Sequence, residues 1–412
     1  MPKLEINGQP IEVPDGTRVI DAARKLGVTI PTMCYMEGMV PYTSCMICLV
    51  KDEGLNKMVP GCSAICAEGQ KITTENDDTK KARKFNLELL FSDHIGDCEA
   101  PCHRACKSHI NIPAMIRHVM AENLDGAVEV LRHAAGPTNL PCHGCEASCE
   151  PGCRRGKNDS PVSIRNIVAF VHDWGAQNTK WKAGENDGKK EEKRFNCAIG
   201  KLKEGEIESF MLEASPIPRV EPQAGPEALF NLEEAKAEGS RCMHCDCRKA
   251  DSCALRDYAD LYGVKQREYQ PDNRNHFKQI RQHGDILYEP EKCIKCGLCI
   301  RITEVNKEKL GLTWINRGFD IGVATPFDAE LNSALTTTAA GVVDACPTAA
   351  LSYRDHESEI KAVQVRGTVQ VFPVDFRRDA VPAKAKRKPT PNLLLPGGGP
   401  VPASAFSEPP RS

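Results

Sequence analysis

The cysteines fall into groups whose spacing suits metal chemistry. Cys34, Cys45, Cys48 and Cys62 stand as C-x10-C-x2-C-x13-C, and Cys98, Cys102 and Cys106 as C-x3-C-x3-C. Cys145, Cys149 and Cys153 repeat the second spacing, with Cys142 three residues ahead of them. Cys242, Cys245, Cys247 and Cys253 crowd into one short stretch, and Cys293, Cys296 and Cys299 form C-x2-C-x2-C with Cys346-Pro347 far downstream. Thiols two or three residues apart let one turn present several sulfurs to one metal centre. The same closeness argues against disulfides, because neighbours in a short turn cannot all pair and the total of 21 is odd. The polar start "MPKLEINGQP" has no signal-peptide pattern, so a reducing cytoplasm is the expected setting.

Composition agrees with small cores stapled by metal. The 412 residues exceed one ordinary core, so several domains are expected. Aromatic residues make up only 5% of the chain, with 31 Gly and 29 Pro, which describes a loop-rich protein. Lys and Arg number 54 against 56 Asp and Glu, so charge gives no reason to expect nucleic acid or an anionic membrane. No apolar run approaches the ~20 residues that span a bilayer, and no membrane insertion is expected.

The first cysteine group needs a scaffold, and the preceding residues supply one. Leu4 and Ile6 alternate, Asn7-Gly8 is a hairpin signal, and Ile11 and Val13 follow. Asp15 is expected to cap a helix with a Val19, Ile20, Ala23 and Leu26 stripe, ended by Gly27. Strand, strand, helix and cysteine loop is the start of a β-grasp ferredoxin, and four thiolates are what a [2Fe–2S] cluster requires. "SCMICLV" and the C-x10-C-x2-C-x13-C spacing resemble the N-terminal ferredoxin domain of the G-type iron–sulfur subunit of NADH dehydrogenase. The same resemblance extends to the diaphorase small subunit of NAD-linked hydrogenases and to iron-only hydrogenases. Cys66 falls outside the pattern and is expected to be a buried thiol. A helix over "DDTKKARKFNLELLFSDH" should bury Phe85 and Leu89, with Lys80, Lys81, Arg83 and Lys84 on its solvated face.

The next segment resembles a second family. "CEAPCHRACKSHINIP" and "CEASCEPGCRRGKNDSPVSIRNIVAFV" are similar to the N-terminal iron–sulfur domain of the glutamate synthase small subunit and of dihydropyrimidine dehydrogenase. Asn111 should cap a helix with Ile112, Met115, Ile116 and Val119 inside; Ser160-Pro161 should open another with Ile164, Ile167, Val168 and Val171 inside. The resemblance implies two interleaved [4Fe–4S] clusters, one taking Cys98, Cys102 and Cys153, the other Cys106, Cys145 and Cys149. Each lacks a fourth ligand: the family's first cysteine has no counterpart here, and Val168 stands where the related enzymes offer Gln or Glu. His94 is the candidate for the first and Cys142 for the second; a helix-end histidine bonded to backbone is the other reading of His94.

Residues 174–240 carry little signal: a charged excursion, "KAGENDGKKEEKRFN", then an extended "SPIPRVEPQAGPE". Cys197 is given no role. Asn231 and Glu234 suggest a capping box before a helix that leads into Cys242. "CDCRKADSCALRDYADLYG" resembles the second half of a cluster motif of the G-type family, with Cys242 and Cys245 where that family has a histidine and a cysteine. This implies a four-thiolate [4Fe–4S] site at Cys242, Cys245, Cys247 and Cys253, with a zinc knuckle as the alternative. Cys293, Cys296, Cys299 and Cys346 imply one more [4Fe–4S] cluster, closed at long range as in the same family.

The fold class expected is α+β multidomain. It comprises a β-grasp [2Fe–2S] ferredoxin at 1–93, a helical double-cluster module at 94–173 and a linker with a helix at 174–240. A cysteine-rich, ferredoxin-like [4Fe–4S] region follows at 241–374, then a disordered Pro-rich tail at 375–412 with a basic run from Lys384 to Lys388. With one [2Fe–2S] and up to four [4Fe–4S] clusters, and no G-x-G-x-x-G after a strand for flavin or nicotinamide, the expected role is non-catalytic electron transfer within an oxidoreductase complex. The resemblance implies an NADH-binding FMN flavoprotein as partner. It also admits a second flavoprotein, with a hydrogenase or a molybdenum-enzyme subunit such as formate dehydrogenase as terminal catalyst, in an electron-bifurcating arrangement. A structural zinc-thiolate interaction protein and a stand-alone NAD(P)H:acceptor reductase are the alternatives.

Overall fold

Asn7 and Gly8, with φ of 52° and 77°, turn strand β1 (Lys3–Ile6) back onto β2 (Gln9–Glu12). Pro10 has no N–H to donate, and β2 is accordingly at the sheet edge. Helix α1 (Val19–Lys25) follows and buries Val19, Ile20, Ala22 and Ala23. Asp15 does not cap it. The cap residue is Arg18, and the first helical N–H groups go to loop carbonyls instead, Val19 to Ala64 and Ile20 to Gly61, each at 2.9 Å. Asp15 sits out in solvent, 3.4 Å from the N-terminal amine.

Strands β3 (Leu49–Asp52), β4 (Lys57–Pro60) and β5 (Lys71–Thr73) complete a five-stranded sheet in the order β2-β1-β5-β3-β4, with β1 and β5 parallel and the other pairs antiparallel. Leu4, Ile6, Val13, Val50 and Ile72 pack with α1 into one apolar cluster. The structure, a computed structural model, describes residues 1–134, 145–179, 194–225, 227–269 and 274–354. All of these lie in one compact unit, Met1–Ala380.

Helix α2 (Asp77–Asp93) starts at a capping box between Asn76 and Thr79. Its inner face differs from the expected one. Phe85 and Leu89 are 47% and 41% exposed, while Thr79, Arg83, Leu87 and Phe91 are buried. These four recur every four residues, the row that faces a packing partner, and the partners are β3 and a later helix. Arg83 is thereby taken from the solvated face. Its guanidinium donates to the carbonyls of Leu49 (2.8 Å) and Thr74 (2.7 Å) and to the Tyr262 hydroxyl (3.1 Å).

Helices α3 (Pro101–Ala105), α4 (Ile112–Met120), α5 (Leu124–Ala134) and α6 (Ile164–Asn178) form the next layer. Asn111 caps α4 through the Ala114 N–H at 3.3 Å, and Ile112, Met115, Ile116 and Val119 are buried. Helix α6 begins at Ile164 behind Ser163, three residues after Ser160-Pro161, and buries Ile164, Ile167, Val168 and Val171. A short α7 (Glu206–Met211) precedes α8 (Leu232–Gly239), which opens on the Asn231–Glu234 capping box and packs on α4 and α6. Helix α9 (Ala254–Tyr262), the partner of α2, ends where Gly263 takes φ +60°.

The last described region joins β6 (Ile286–Tyr288), α10 (Leu298–Val305), β7 (Thr313–Ile315) and β8 (Gly322–Ala324). It continues with α11 (Leu331–Ala334), α12 (Ala339–Ala345) and β9 (Leu351–Tyr353). β6 pairs with β9 and β7 with β8, both antiparallel. The content is mixed α and β. The expected Pro-rich tail and its basic run lie outside the described residues.

Candidate iron–sulfur sites

The loop from Met33 to Cys48 wraps one thiol group. Thr43 and Met46 take φ of 56° and 53°, two left-handed turns within that loop. Cys34, Cys45, Cys48 and Cys62 are all at most 2% exposed. Cys34, Cys45 and Cys62 are neighbours: Cys45 and then Cys62, against burial, lower the Cys34 thiol to about 3, and Cys34 is in turn the first cause that raises Cys45 and Cys62. Cys48 is lowered, first by its neighbour Cys62. Cys66 is buried too, but its charged neighbours are Asp21 and Lys25, not these thiols, and burial raises it.

A second group forms between β6 and β9. Cys293, Cys296, Cys299 and Cys346 line one cavity with Tyr288, Pro347 and Leu351. The Lys295 N–H lies 3.3 Å from the Cys293 sulfur, and Gly297, with φ +75°, caps α10 so that Cys296 and Cys299 share a turn. Burial pushes Cys293 up to about 11 and drives Cys296 and Cys299 up as well. Loading metal there must therefore release protons.

The remaining thiols are sorted differently from the expected sets. Cys98 lies 3.3 Å, sulfur to sulfur, from Cys197. The Cys247 N–H donates to the Cys98 carbonyl at 3.3 Å, and the Cys253 thiol is raised by burial and then by Cys247 and Cys98. So Cys98, Cys197, Cys247 and Cys253 share one neighbourhood. The Cys197 bond, outweighing burial, lowers Cys98 to about 7, with Arg256 and Lys292 helping. Cys102 meets other partners: burial raises it, then Cys242, Cys153 and Cys245. Burial, followed by Cys153, lifts Cys242 to about 12. Cys102, Cys153, Cys242 and Cys245 thus form a further neighbourhood.

Cys245 and Cys247 are two residues apart yet enter different groups. Between them Asp246 receives a two-pronged bond from Arg117, at 2.9 and 2.6 Å. Burial opposes its charge, but Arg117 holds Asp246 down at about 2. Arg154 bridges the same two groups. It is in ion-pair contact with Asp97 at 2.5 Å, beside Cys98, and its charge lies by the Cys245 thiol. Its guanidinium rests on Phe210 at 5.2 Å.

Cys106 caps α3, and the Ser148 hydroxyl donates to the Ala105 carbonyl at 2.8 Å, which ties the Cys145–Cys153 turns to α3. Cys106 and Cys149 join one apolar cluster. Cys142 lies outside the described residues. His94 ends α2; its Nδ1 is 3.1 Å from the Lys292 carbonyl, and burial lowers it to about 4. That bond is common to both readings, since a helix-end histidine makes it and so does one that ligates through Nε2. Among the described residues, no three His, Cys, Asp or Glu side chains close on one point as a mononuclear ion needs.

Cys197, to which the sequence gives no role, is brought against Cys98 by the fold.

Residues 2–77 match the 2Fe-2S iron-sulfur cluster binding domain, and residues 93–180 match dihydropyrimidine dehydrogenase domain II, 4Fe-4S cluster. The chain is 38% identical over 98 residues to a G-type subunit of NADH-quinone oxidoreductase from Rhizobium meliloti, covering 24% of this chain and 12% of that protein. It is 35% identical over 98 residues to NADPH-Fe(3+) oxidoreductase subunit alpha of Geobacter sulfurreducens, with the same two coverages of 24% and 12%. With NADP-reducing hydrogenase subunit HndD of Solidesulfovibrio fructosivorans the identity is 35% over 100 residues, 23% of this chain and 17% of that one. The matches therefore span less than a fifth of these relatives. A crystal structure of NAD+-reducing [NiFe]-hydrogenase in the H2-reduced state aligns over 86% of this chain and 87% of that chain, at 14% identity and a TM-score of 0.45. No helix among the described residues is long and apolar enough to cross a membrane. The chain carries iron–sulfur domains and is homologous to subunits of NADH- and NADPH-linked oxidoreductases and of hydrogenases.

Proposed function

We propose that the chain is an electron-relay subunit of a larger redox complex. It passes single electrons between an NAD(P)H-linked flavoprotein and another redox centre. The observation that carries this reading is the placement of Cys245 and Cys247. They are two residues apart, at most about 7 Å along the chain, yet they serve separate thiol neighbourhoods. A relay needs its centres close, and two adjacent cages supply that.

The residues fit the cofactors. Cys34, Cys45, Cys48 and Cys62 suit a [2Fe–2S] cluster, and Cys293, Cys296, Cys299 and Cys346 suit a [4Fe–4S] cluster. Cys102, Cys153, Cys242 and Cys245 supply a full set for another. Cys106, Cys145 and Cys149 leave Cys142 as their fourth. Cys98, Cys247 and Cys253 bring three thiolates to the last. Such clusters accept one electron with little bond rearrangement, and the surroundings set each potential. Here those surroundings are this chain's Arg117, Arg154, Arg256 and Lys292, cations placed beside the thiols.

The names of the relatives favour an NADH- or NADPH-linked flavoprotein as donor or acceptor, an FMN-containing one by resemblance. A second flavoprotein, a hydrogenase or a formate dehydrogenase at the other end gives a branched, bifurcating wire in the cytoplasm. The test is Fe, Zn and acid-labile sulfide per chain after anaerobic purification, with EPR through a reductive titration. About 18 iron with several distinct reduced signals supports the relay. Roughly 10 iron with zinc making up the shortfall favours structural cages. Bound flavin with NADH oxidation by the isolated chain favours a stand-alone reductase.

A further inference from the structure

We propose that Lys292 and Glu289 form a fixed, buried dipole whose positive end faces the site of Cys98, Cys247 and Cys253, and that this dipole raises the redox potential of the centre held there. The inference rests on the relay reading above and deepens one of its centres.

The pair is made within one turn. Lys292 ends a short 3-10 helix, Pro290–Lys292, that runs directly into Cys293. Its Nζ lies 2.5 Å from Glu289 Oε2, and both residues are at most 3% exposed. Glu289 is fixed in turn. Its Oε1 accepts from the Gln279 side chain at 3.0 Å, and its N–H donates to the Ala350 carbonyl at 2.8 Å.

Packing sends the lysine to the other site. Lys292 adjoins Cys293 in sequence, yet its side chain crosses Gly96: a Cβ built on Gly96 would lie 2.8 Å from Lys292 Cε and 3.3 Å from Cγ. Gly96 stands two residues before Cys98, and the stem takes the room that its missing side chain leaves. The backbones are joined alongside. The Ile95 N–H donates to the Glu291 carbonyl at 2.8 Å, and the Lys292 carbonyl accepts from the Thr348 hydroxyl at 2.9 Å and meets His94 Nδ1 at 3.1 Å. Lys292 thus belongs to the last thiol group by its backbone and to the Cys98 segment by its side chain.

The charges point the same way. Burial raises the Cys247 thiol to about 11; Lys292 is the largest influence that lowers it, and Glu289 raises it less than Lys292 lowers it. Lys292 also lowers Cys98. The carboxylate end is met by further cations, since Arg248 and Arg281 both lie by Glu289. A buried ion pair is weak evidence for stability, because apolar residues of similar volume serve a fold as well. What apolar residues cannot supply is a field. A cation beside a cluster favours its reduced state, which carries one more negative charge.

The test uses the anaerobically purified, full-length holoprotein, with iron and sulfide counted and midpoint potentials read by redox-titrated EPR. Lys292→Met combined with Glu289→Gln removes both charges at nearly constant volume and leaves neither partner buried alone. One [4Fe–4S] midpoint should fall while the [2Fe–2S] midpoint stays. Lys292→Met alone should lower the same midpoint further, by about tenfold in the oxidised-to-reduced ratio at a fixed potential, or about 59 mV for one electron. Glu289→Gln alone should raise it. Unchanged midpoints in the double variant at full iron overturn the dipole and leave the relay reading intact. So does a shift of every midpoint together, which is what a loosened fold would give, and so does a rise. Iron far below about 18 in the wild type overturns both. If a variant that lacks Lys292 fails to fold, the sign of the shift in Glu289→Gln decides.

Discussion

Tyr42 fills the space that a side chain on Gly297 would need: a Cβ built on Gly297 would overlap the edge of the Tyr42 ring. Tyr42 belongs to the loop between Cys34 and Cys45, and Gly297 to the turn that presents Cys296 and Cys299. The ring stands edge-on to Trp314 at 5.6 Å and beneath the Arg301 guanidinium at 4.6 Å. One aromatic ring therefore locks the first thiol group to the last. Gly297→Ala should bring both a clash and a strained φ of +75°, costing about 2–4 kcal/mol together. Thermal unfolding checks the loss. A companion readout is the rate at which the two corresponding EPR signals equilibrate, which should slow.

Arg117 and Asp246 test the link between the adjacent cages. Arg117→Met leaves a carboxylate that is 6% exposed without its partner. Breaking a buried pair in this way costs roughly 3–5 kcal/mol. It also removes a cation beside Cys242 and Cys247. The midpoint potentials of one or both centres should fall, as read by redox-titrated EPR; unchanged potentials would show that Arg117 is only structural.

Glu206 gives a pH prediction. It accepts from Arg274 by both oxygens and from the N–H groups of Lys203 and Phe277 at 2.7 Å each. Burial opposes its charge, but Arg274 and the two N–H groups hold it down at about 2, against an ordinary 4.5. A depressed carboxylate contributes stability that is fully present above its unfolded value and is lost as pH falls through the folded one. The window is thus about pH 4.5 down to 2, and the contribution is on the order of 3 kcal/mol. Glu206→Gln should flatten acid unfolding in that window, measured by circular dichroism.

Cys66 separates a buried thiol from a ligand. It is 5% exposed and packs in the core beneath the sheet. Cys66→Ala should cost about 1 kcal/mol through lost packing and leave iron, sulfide and every reduced signal unchanged. A lost [2Fe–2S] signal would place it in the first centre.

Some of this molecule could be read directly from the chain. The C-x10-C-x2-C-x13-C and C-x2-C-x2-C…C-P spacings announce groups that the structure assembles, because most of each ligand set sits on one or two turns whose local geometry is set by nearby residues. The Asn231–Glu234 capping box and the inner faces of α4 and α6 were equally legible, since caps and helical periodicity act over three or four residues. Other features were decided only in three dimensions. Cys98 and Cys102 share a short motif but diverge to separate partners, and Cys245 and Cys247 do the same across Asp246. Spacing reports which thiols leave one turn, not which way each points once helices from distant sequence pack around them. The inner face of α2 shows the same limit. Leu87 and Phe91 go inside and Phe85 and Leu89 outside because Arg83 finds Leu49, Thr74 and Tyr262, three partners that no local pattern could reveal. Cys197 is the extreme case: alone in sequence, it meets Cys98 only because the segment from Arg194 to Ile199 is bonded down at nearly every residue.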